Sequence, residues 1–340
     1  MTRVWYNKAF SSVATAIRLI READASGTYE IYCTNSNTHS PAVRTAHHFS
    51  VEPSGLSEAA YVDWCLEFCR QQQIDIFIPG KAAGAIAGQH PRFLAAGTRV
   101  LSVASSDVLA LLRDKAAFYQ AVELPLTPPA DFRVVRTIEQ YDVAYAQLRA
   151  LYPQLCIKPA TSVFGIGFSV IDEQRSTTQL LLDGVEYHVN ATALRDGLAA
   201  MAEFRPLLLM EYLPGHEYSV DCVADFGRLV CSVPRKKSLV QGHGQTIELH
   251  PDIVESVRQL AHSYQLNGVF NVQFREGLRG LGLLEINPRM SGGIGMACLA
   301  GPNLPYCGLV GFDKGYAGLE LPAVREGLHV SEMAVAVEVQ

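Results

Sequence analysis

The chain contains 340 residues, of which 49% are hydrophobic and 18% are charged, and it carries a net charge of −6. This composition excludes disorder over most of the length, because disordered chains have few apolar and many charged residues. The net negative charge argues against binding along the phosphate backbone of a nucleic acid. No uncharged apolar run of about 18 residues occurs, and the polar N-terminus predicts no export signal. We therefore expect a cytoplasmic protein that does not insert into a membrane.

Strand and helix signals alternate over the first hundred residues. Apolar runs predict strands at 3–6, 29–33, 74–78 and 99–103, and apolar residues at helical spacing predict helices at 13–20 and 61–70. The alternation predicts a Rossmann-like layer, in which a parallel sheet has helices on both faces. The turn at 7–12 contains no glycine, whereas a dinucleotide pyrophosphate needs close backbone approach there, and this argues against an NAD site.

The rest of the chain divides into three further segments. Residues 105–150 are predicted to be mostly helical, with a break at the proline-rich stretch 124–129. A small α+β pattern follows, with strands at 155–158, 168–171 and 206–212 and a helix at 192–204. Strands dominate 213–290 apart from a helix at 252–263, and 329–339 is predicted to be a closing strand. The predicted domains are 1–105 (N-terminal, Rossmann-like), 106–154 (helical connection), 155–212 (small subdomain) and 213–340 (large subdomain).

The strongest functional signal is a predicted hairpin over residues 268–289. Side chains alternate along a strand, so Glu285 and Asn287 share one face, and Gln273 can reach them from the partner strand. Mg²⁺ binds hard oxygen ligands and often takes only one or two carboxylates together with phosphate oxygens. The hairpin, followed by the basic Arg289, therefore predicts a magnesium site that holds a nucleotide. The alternative is a polar edge hairpin with a solvated face.

A second signal combines a lysine with a loop of small residues. Lys158 ends a predicted buried strand, and the loop that follows, 160–167, contains Gly165 and Gly167. An ammonium group can bind phosphate oxygens while the backbone amides of such a loop close over them. The alternatives are a solvated edge lysine and a plain turn. Lys115, in the helical region, would by itself be a surface lysine.

A third signal is an apolar strand at 207–213 that runs into a turn at Pro214 and Gly215. A chain that leaves a sheet in this way exposes backbone N–H and C=O groups, with which the edge of an adenine ring can pair. Glu217, just past the turn, can accept hydrogen bonds from ribose hydroxyls. The alternative is a hairpin with exposed glutamates.

Taken in order, these segments resemble the ATP-grasp superfamily, and the pattern is most similar to carbamoyl-phosphate synthetase large subunits and biotin carboxylases. Asn271-Val-Gln-Phe274 and Glu285-Ile-Asn-Pro-Arg289 look very like the metal-binding strands of the synthetase. The resemblance covers roughly residues 100–300 and implies an α/β plus α+β architecture, an ATP-grasp fold with an N-terminal Rossmann-like parallel αβ domain. Lys158-Pro159, Phe164-Gly-Ile-Gly-Phe168 and Pro234-Arg-Lys-Lys237 are also similar to ATP-grasp proteins of tellurium-resistance-type gene clusters.

The resemblance implies a role for each candidate residue. The residues that would contact the ATP phosphates are Lys115 and Lys158, covered by the loop that includes Ser162, Gly165 and Gly167. The groups that would hold the nucleoside are the backbone of Met210, Glu211, Tyr212 and Leu213 for adenine, Glu217 for ribose, and His243 in a His-Gly loop near ATP. The alternative for His243 is a structural or exposed histidine. The ligands of one or two Mg²⁺, with Mn²⁺ as an alternative, would be Gln273, Glu285 and Asn287. Arg289 and Lys158 would be the catalytic residues, Arg289 by stabilising charge on the transferred phosphoryl group.

Two groups are candidates for the substrate site. Arg235 and Lys237 could hold a substrate carboxylate or the γ-phosphate, and the alternative is a solvated basic run. Ser291, Gly292 and Gly293 open a predicted helix, whose N–H groups could take the substrate carboxylate or an acyl phosphate.

The resemblance implies an enzyme, an ATP-dependent carboxylate–amine (or thiol) ligase that forms an acyl phosphate and releases ADP and phosphate. Its partners would be ATP, a small carboxylate and a nucleophilic acceptor, and relatives often form homodimers through the N-terminal region. The sequence departs from the family pattern in a phosphate loop with fewer glycines than in biotin carboxylase, and in Gln273, which replaces a carboxylate. Two alternatives stay open: an ATP-grasp kinase acting on a small molecule, and a non-catalytic ATP-binding regulatory module.

Overall fold

The computed structural model describes residues 1–8, 12–161, 166–240, 242–333, 336 and 338. Contacts between residues divide the chain into two compact units. The first unit contains Met1–Ala110, His216–Phe274 and Glu285–Gln340, and the second contains Leu111–Gly215 and Arg275–Leu284. The predicted domain boundaries are finer than this division and stay predictions. Within the described ranges, no helix is both long enough and apolar enough to cross a membrane.

The first unit begins with a parallel sheet. Its strands are β1 (Thr2–Tyr6), β2 (Tyr29–Asn35), β3 (His48–Val51), β4 (Ile76–Ile78) and β5 (Arg99–Val100), in the order β3-β2-β1-β4-β5. The accompanying helices are α1 (Ser12–Ala23), α2 (Ala42–Thr45), α3 (Glu58–Gln72), α4 (Ala83–Gly88) and α5 (His90–Ala95). The parallel sheet predicted from the alternation of signals is therefore confirmed.

Alternate residues of β1 reach two separate cores, one on each face of this sheet. Val4 packs with Ile17 of α1, whereas Trp5 packs with Phe77 and with Tyr61 of α3. The period of two along a strand places these neighbours on opposite faces. The sequence does not predict β3, because three of its four residues are exposed and no apolar run marks it.

The second unit contains a mixed sheet covered by helices. Its elements are α7 (Lys115–Ala121), β6 (Phe132–Val135), α8 (Ile138–Arg149), β7 (Leu155–Pro159), β8 (Ser169–Asp172), α9 (Thr177–Leu182), β9 (His188–Asn190), α10 (Ala191–Ala199) and β10 (Leu207–Glu211), preceded by α6 (Ser106–Arg113) at the boundary of the two units. The strand order is β6-β10-β7-β8-β9, and β10 is antiparallel to both neighbours. The mostly helical prediction for 105–150 is wrong at β6, where a short apolar run pairs with β10.

A second sheet in the first unit is built largely from antiparallel strands. Its strands are β11 (Glu217–Asp225), β12 (Arg228–Lys237), β13 (Gln245–Ile247), β14 (Gly268–Gly277), β15 (Gly280–Asn287) and β16 (His329–Val330). The helices of this part of the chain are α11 (Pro251–Ser263), α12 (Ile294–Cys298) and α13 (Leu304–Lys314). The strand order is β15-β14-β11-β12-β13-β16, and β14 and β15 each continue from one unit into the other. The predicted closing strand at 329–339 is confirmed for two residues, and 334, 335, 337 and 339 lie outside the described part.

One face of this sheet carries polar side chains in its interior. We call it the polar face; it consists of Glu217, Ser219 and Asp221 on β11, Arg235 and Lys237 on β12, and Asn271 and Gln273 on β14. The intervening residues of β14 are the fully buried Phe270, Val272 and Phe274. A strand buried on both sides is normally apolar throughout, so a polar row here requires partners within the protein or a ligand.

Candidate functional site

The 210–213 segment of the second unit leaves its sheet with one backbone donor unused. The N–H of Glu211 donates to the carbonyl of Asp131 (2.9 Å), and the N–H of Tyr212 donates to that of Gln154 (3.1 Å). For the N–H of Leu213, no acceptor lies within hydrogen-bonding distance in the described part of the chain. The Leu213 side chain is buried. The segment therefore offers a fixed donor to a ligand edge.

Two arginines hold this segment in place. Arg279 Nη2 donates to Glu211 Oε2 at 2.7 Å, and the other carboxylate oxygen has no partner among the described residues. Arg275 donates from Nε to the carbonyl of Gly215 at 3.1 Å and stacks over the ring of Tyr212. Both arginines belong to the part of the β14–β15 hairpin that lies in the second unit, residues Arg275–Leu284. The 210–213 segment and the two side chains that hold it are therefore in the same unit.

The structure brings Lys115 and Lys158 into the same part of the second unit. Lys158 Nζ donates to Tyr119 Oη at 3.0 Å and lies 5.1 Å from the centre of that ring. The N–H of Lys115, the first residue of α7, donates to the carbonyl of Ala160 at 3.0 Å, two residues beyond Lys158. The backbones of the two lysines are therefore close to each other in the fold.

The predicted phosphate loop is only partly described. Ser162 and Gly165 lie outside the described residues. Gly167 has φ +84°, and a Cβ on it would come within 2.9 Å of the ring of Pro159. Gly167 therefore packs directly against Pro159 at the end of β7, in a backbone conformation and a space that favour glycine.

On β15 the structure brings Glu285 and Asn287 together. Asn287 Nδ2 donates to Glu285 Oε1 at 2.9 Å, and the intervening Ile286 is buried on the other side of the strand. Gln273 lies on the neighbouring β14, and among the described residues it forms no hydrogen bond to either side chain. The structure therefore brings two of the three predicted ligands together, and the third, Gln273, lies on the adjacent strand without a hydrogen bond to them.

These donors fit magnesium held with a nucleotide. No group of three or more His, Cys, Asp or Glu side chains in the described ranges could bind a metal ion alone. A site with one carboxylate and amide oxygens suits Mg²⁺, which completes its shell with water and phosphate oxygens. The oxygen atoms of Glu285 and Asn287 therefore match the ion's chemistry only when phosphates are present.

Arg289 lies just beyond this pair. It is partly buried, and Nη1 donates to the carbonyl of Met290 at 3.1 Å. Burial lowers the pKa of Arg289, and the nearby carboxylates of Glu285 and Asp221 act in the opposite direction. The guanidinium therefore interacts electrostatically with Glu285, a predicted metal ligand, and with Asp221 of the polar face.

Glu217 and Lys237, predicted for ribose and substrate respectively, form an ion pair with each other. His216 Nδ1 donates to the carbonyl of Lys237 at 2.8 Å, which fixes the end of β12 next to the start of β11. His243 is exposed in its loop. Gly244 follows with φ +74°, and a Cβ there would come within 2.8 Å of the carbonyl of Val330.

Arg235 differs from both of its sequence-based interpretations. The residue is 1% exposed, and its guanidinium donates to Asp221, Ser219, Gln245 and Ser291. A solvated basic run does not fit this residue, and a substrate contact does not fit a guanidinium whose surface is covered by the protein itself.

The predicted anion site at Ser291, Gly292 and Gly293 also fails to fit the structure. The N–H of Ser291 donates to Asp221 Oδ1 at 3.3 Å, so it faces a buried carboxylate. Helix α12, which follows, has only five residues, which is too short to add much of a helix dipole. An anion at this turn would meet the negative charge of Asp221.

Comparisons with known proteins found similarity to one family model and to two curated relatives. Residues 203–336 match the family model described as ATP-grasp in the biosynthetic pathway with Ter operon. The arginine-specific large chain of carbamoyl phosphate synthase from Bacillus subtilis (strain 168) is 23% identical over 199 residues, which is 55% of this chain and 18% of that protein. The chain thus spans about a fifth of the curated relatives' length.

Solved structures cover nearly the whole chain. An ADP complex of N5-carboxyaminoimidazole ribonucleotide synthetase has a TM-score of 0.66 at 15% identity, covering 96% of this chain and 80% of that one. The biotin carboxylase domain of the Hydrogenobacter thermophilus 2-oxoglutarate carboxylase, with MgADP, ADP and bicarbonate, has a TM-score of 0.65 at 14% identity, covering 95% and 71%. The chain has the ATP-grasp fold. The predicted fold and the resemblance to ATP-grasp proteins and to carbamoyl-phosphate synthetase are therefore confirmed.

Sequence reasoning missed several residues that hold the candidate site in place. The missed positions are Ser219, Asp221 and Asn271 on the polar face, and Arg275 and Arg279 beside the 210–213 segment. The sequence could have indicated Asp221, because a carboxylate in the middle of an apolar strand must have a buried partner. No local pattern could have indicated the two arginines, since their partners lie more than 55 residues away in sequence.

Proposed function

We propose that this chain is an ATP-dependent carboxylate–amine (or thiol) ligase that acts through an acyl phosphate. The single observation that carries the proposal is the contact of Glu285 with Asn287 next to the partly buried Arg289. The pair supplies oxygen donors and the arginine supplies a fixed positive charge, which are the groups that phosphoryl transfer needs. Solved structures of similar fold that contain ADP or MgADP support the choice of nucleotide.

Adenine would bind at the 210–213 segment. The unused N–H of Leu213 can donate to a ring nitrogen, and the neighbouring carbonyls can accept from the exocyclic amine. The ammonium groups of Lys115 and Lys158 would bind phosphate oxygens, covered by the loop with Ser162, Gly165 and Gly167. Glu217 would accept from ribose hydroxyls, and His243 would lie near the nucleotide.

Glu285, Asn287 and Gln273 would hold one or two Mg²⁺, with Mn²⁺ as an alternative. The ion neutralises charge on the phosphates and orients them. Arg289 would then stabilise the charge that develops on the transferred phosphoryl group, and Lys158 would share that role. Lys237 would contact the γ-phosphate or the substrate carboxylate once its pairing with Glu217 is given up.

The reaction balances without a further reactant. A carboxylate oxygen of the substrate forms a bond to the γ-phosphorus while the bond to the β–γ bridging oxygen breaks, and ADP leaves with that oxygen. The nitrogen or sulfur of the acceptor then bonds to the acyl carbon, phosphate leaves, and the acceptor's proton goes to solvent. A cytoplasmic location and pairing of two copies through the N-terminal region accompany this proposal as predictions.

The test is a screen of amino acids and small carboxylates with Mg²⁺ and ATP, with and without hydroxylamine. The proposal predicts ADP and phosphate with at least one carboxylate, and a hydroxamate when hydroxylamine replaces the acceptor. AMP as the nucleotide product would contradict the acyl-phosphate route. ADP with a stable phosphorylated alcohol would identify a kinase, and binding of MgATP without turnover would identify a regulatory module.

A further inference from the structure

A buried ion pair lies in the interior half of the polar face. The side chains of Asp221 and Arg235 are 0% and 2% exposed, and Arg235 Nη2 lies 2.8 Å from Asp221 Oδ2. The guanidinium also donates to Ser219 Oγ at 3.1 Å and to Gln245 Oε1. A buried charge pair is seldom worth more than apolar residues of the same size, because both ions lose their water. Its presence therefore calls for a reason other than stability.

The pair holds the turn that follows Arg289. Ser291 donates from its hydroxyl to Asp221 Oδ2 at 2.9 Å and from its N–H to Asp221 Oδ1 at 3.3 Å, and Arg235 Nη2 donates back to that hydroxyl at 2.9 Å. A Cβ on Gly293 would come within 2.5 Å of Arg235 Nη1. The turn is thus fastened by three hydrogen bonds and packed directly against the guanidinium.

The residue between Arg289 and Ser291 is also fixed. Met290 packs against the core that contains Val4 and Tyr6 of β1. Arg289 therefore precedes two consecutive anchored residues, one held by apolar packing and the other by the ion pair. A guanidinium held in this way loses less freedom when it meets a charged group, which is the requirement for preorganised charge stabilisation.

We propose that Arg235 and Asp221 are positioning residues, which contact no substrate and place Arg289 by anchoring Ser291. The inference rests on the proposed function only for the role of Arg289. It also explains the glycine at 293, because a side chain there would displace the guanidinium from Ser291. Loss of the pair should loosen residues 289–293 and slow phosphoryl transfer, with little effect on nucleotide binding.

The test uses the full chain with Asp221→Leu/Arg235→Met, which removes both charges and so leaves no unpaired ion in the interior. The matched control is Asp225→Leu/Arg228→Met, which removes an exposed ion pair that joins the same two strands. Amide hydrogen exchange over residues 288–294 is measured together with the Kd of MgADP. We expect exchange to be about tenfold faster in the first variant, a Kd within about twofold of the parent, and no change in the control. A folded variant with unchanged exchange at 288–294 would overturn the proposal.

Turnover provides the second readout. A misplacement of about 1 Å costs roughly 100-fold in rate, so kcat should fall by that order while KM for ATP stays nearly constant. Arg235→Lys, which keeps the charge but not the fork of donors, should give intermediate values for both exchange and kcat. A rise in KM for the carboxylate with unchanged exchange would make Arg235 a substrate contact instead. The exchange result needs no turnover, so an inactive parent protein would count against the proposed function and not against the anchor.

Discussion

Arg289 combines partial burial with two carboxylates close by. Burial lowers the pKa of this guanidinium, whereas Glu285 and Asp221 act against that shift. The ordinary pKa of arginine lies so far above neutrality that the group keeps its charge in either case. A permanent cation in a partly desolvated position is suited to stabilising a phosphoryl group in transfer.

Arg289→Ala should abolish turnover while sparing nucleotide binding. By comparison with arginines that act in phosphoryl transfer, the loss should be about 10³- to 10⁵-fold in kcat. Steady-state kinetics with ADP detection, paired with calorimetric binding of MgADP, measure the two effects separately. Arg258→Ala, which removes an exposed arginine of α11, is the control. Unchanged turnover in Arg289→Ala would remove this residue from the mechanism.

Glu285→Gln should change the response to magnesium. The substitution keeps the size and the contact with Asn287 but removes the one carboxylate of the predicted ligand set. We expect the Mg²⁺ concentration for half-maximal nucleotide binding to rise about tenfold or more, as measured by titration at fixed ADP. Glu255→Gln on α11 should leave that concentration unchanged, and a magnesium dependence that is the same in all three proteins would defeat the metal assignment.

At the level of elements, the β14–β15 hairpin clamps the 210–213 segment through Arg279 and Glu211. Glu211 is 2% exposed and Arg279 is 60% exposed, so removing the arginine leaves a buried carboxylate with weak compensation. Arg279→Met should lower the free energy of unfolding by about 1–3 kcal/mol, less than for a fully buried pair, and should weaken ADP binding.

Urea unfolding and calorimetry check both parts of the Arg279→Met prediction. Arg228→Met is the matched control, because it leaves Asp225 in water, and it should cost less than about 1 kcal/mol. Equal unfolding free energies for the two variants would show that the clamp does not stabilise the segment.

The contact between α8 and Glu173, the residue after β8, is expected to depend on pH. Arg149 and Tyr145 hydrogen-bond to Glu173 and lower its pKa from 4.5 to about 2. A lowered pKa in the folded state adds stability above about pH 4.5, and that stability is lost as the pH falls from 4.5 towards 2. The side chains of Arg149 and Glu173 are 33% and 42% exposed, so the contribution is roughly 1 kcal/mol or less.

Glu173→Gln should therefore be less stable than the parent at pH 7 and equally stable near pH 2. Denaturant unfolding followed by circular dichroism at pH 7, 4 and 2.5 gives the difference directly. A difference that stays constant over this range would mean that the carboxylate's charge contributes nothing to the contact.

The sequence predicts elements well where a single local pattern decides them. The period of two along residues 285–287 places Glu285 and Asn287 on one face, and the structure has them in contact. The apolar runs of β1 and β2 likewise mark buried strands. The short strands β3 and β6 are missed, because β3 is mostly exposed and β6 lies in a stretch dominated by helical signals.

Arg235 shows what a local pattern leaves out. Beside Lys236 and Lys237 it has the composition of an exposed basic run, yet its partners Asp221 and Ser291 are 14 and 56 residues away. Only the pairing of β11 with β12 and the return of the chain after β15 bring them together. Burial of a charge is a property of that assembly and not of the neighbouring residues.

At the scale of the whole molecule, each of the two units contains some of the candidate residues. The second unit contains the 210–213 segment and Lys158, and the first unit contains Glu285, Asn287 and the buried pair of Asp221 and Arg235. The matched stretch covers only 18% of each curated relative, so the additional activities of those relatives are not carried over. The central proposal is that these residues of the chain itself bind MgATP.

A crystal structure of the full chain with MgADP tests this claim most directly. We predict Mg²⁺ at about 2.0–2.1 Å from oxygen atoms of Glu285 and Asn287, the adenine edge hydrogen-bonded to the N–H of Leu213, and phosphate oxygens within reach of Lys115 and Lys158. A nucleotide bound away from these residues, or an ion with no ligand from β15, would contradict the account.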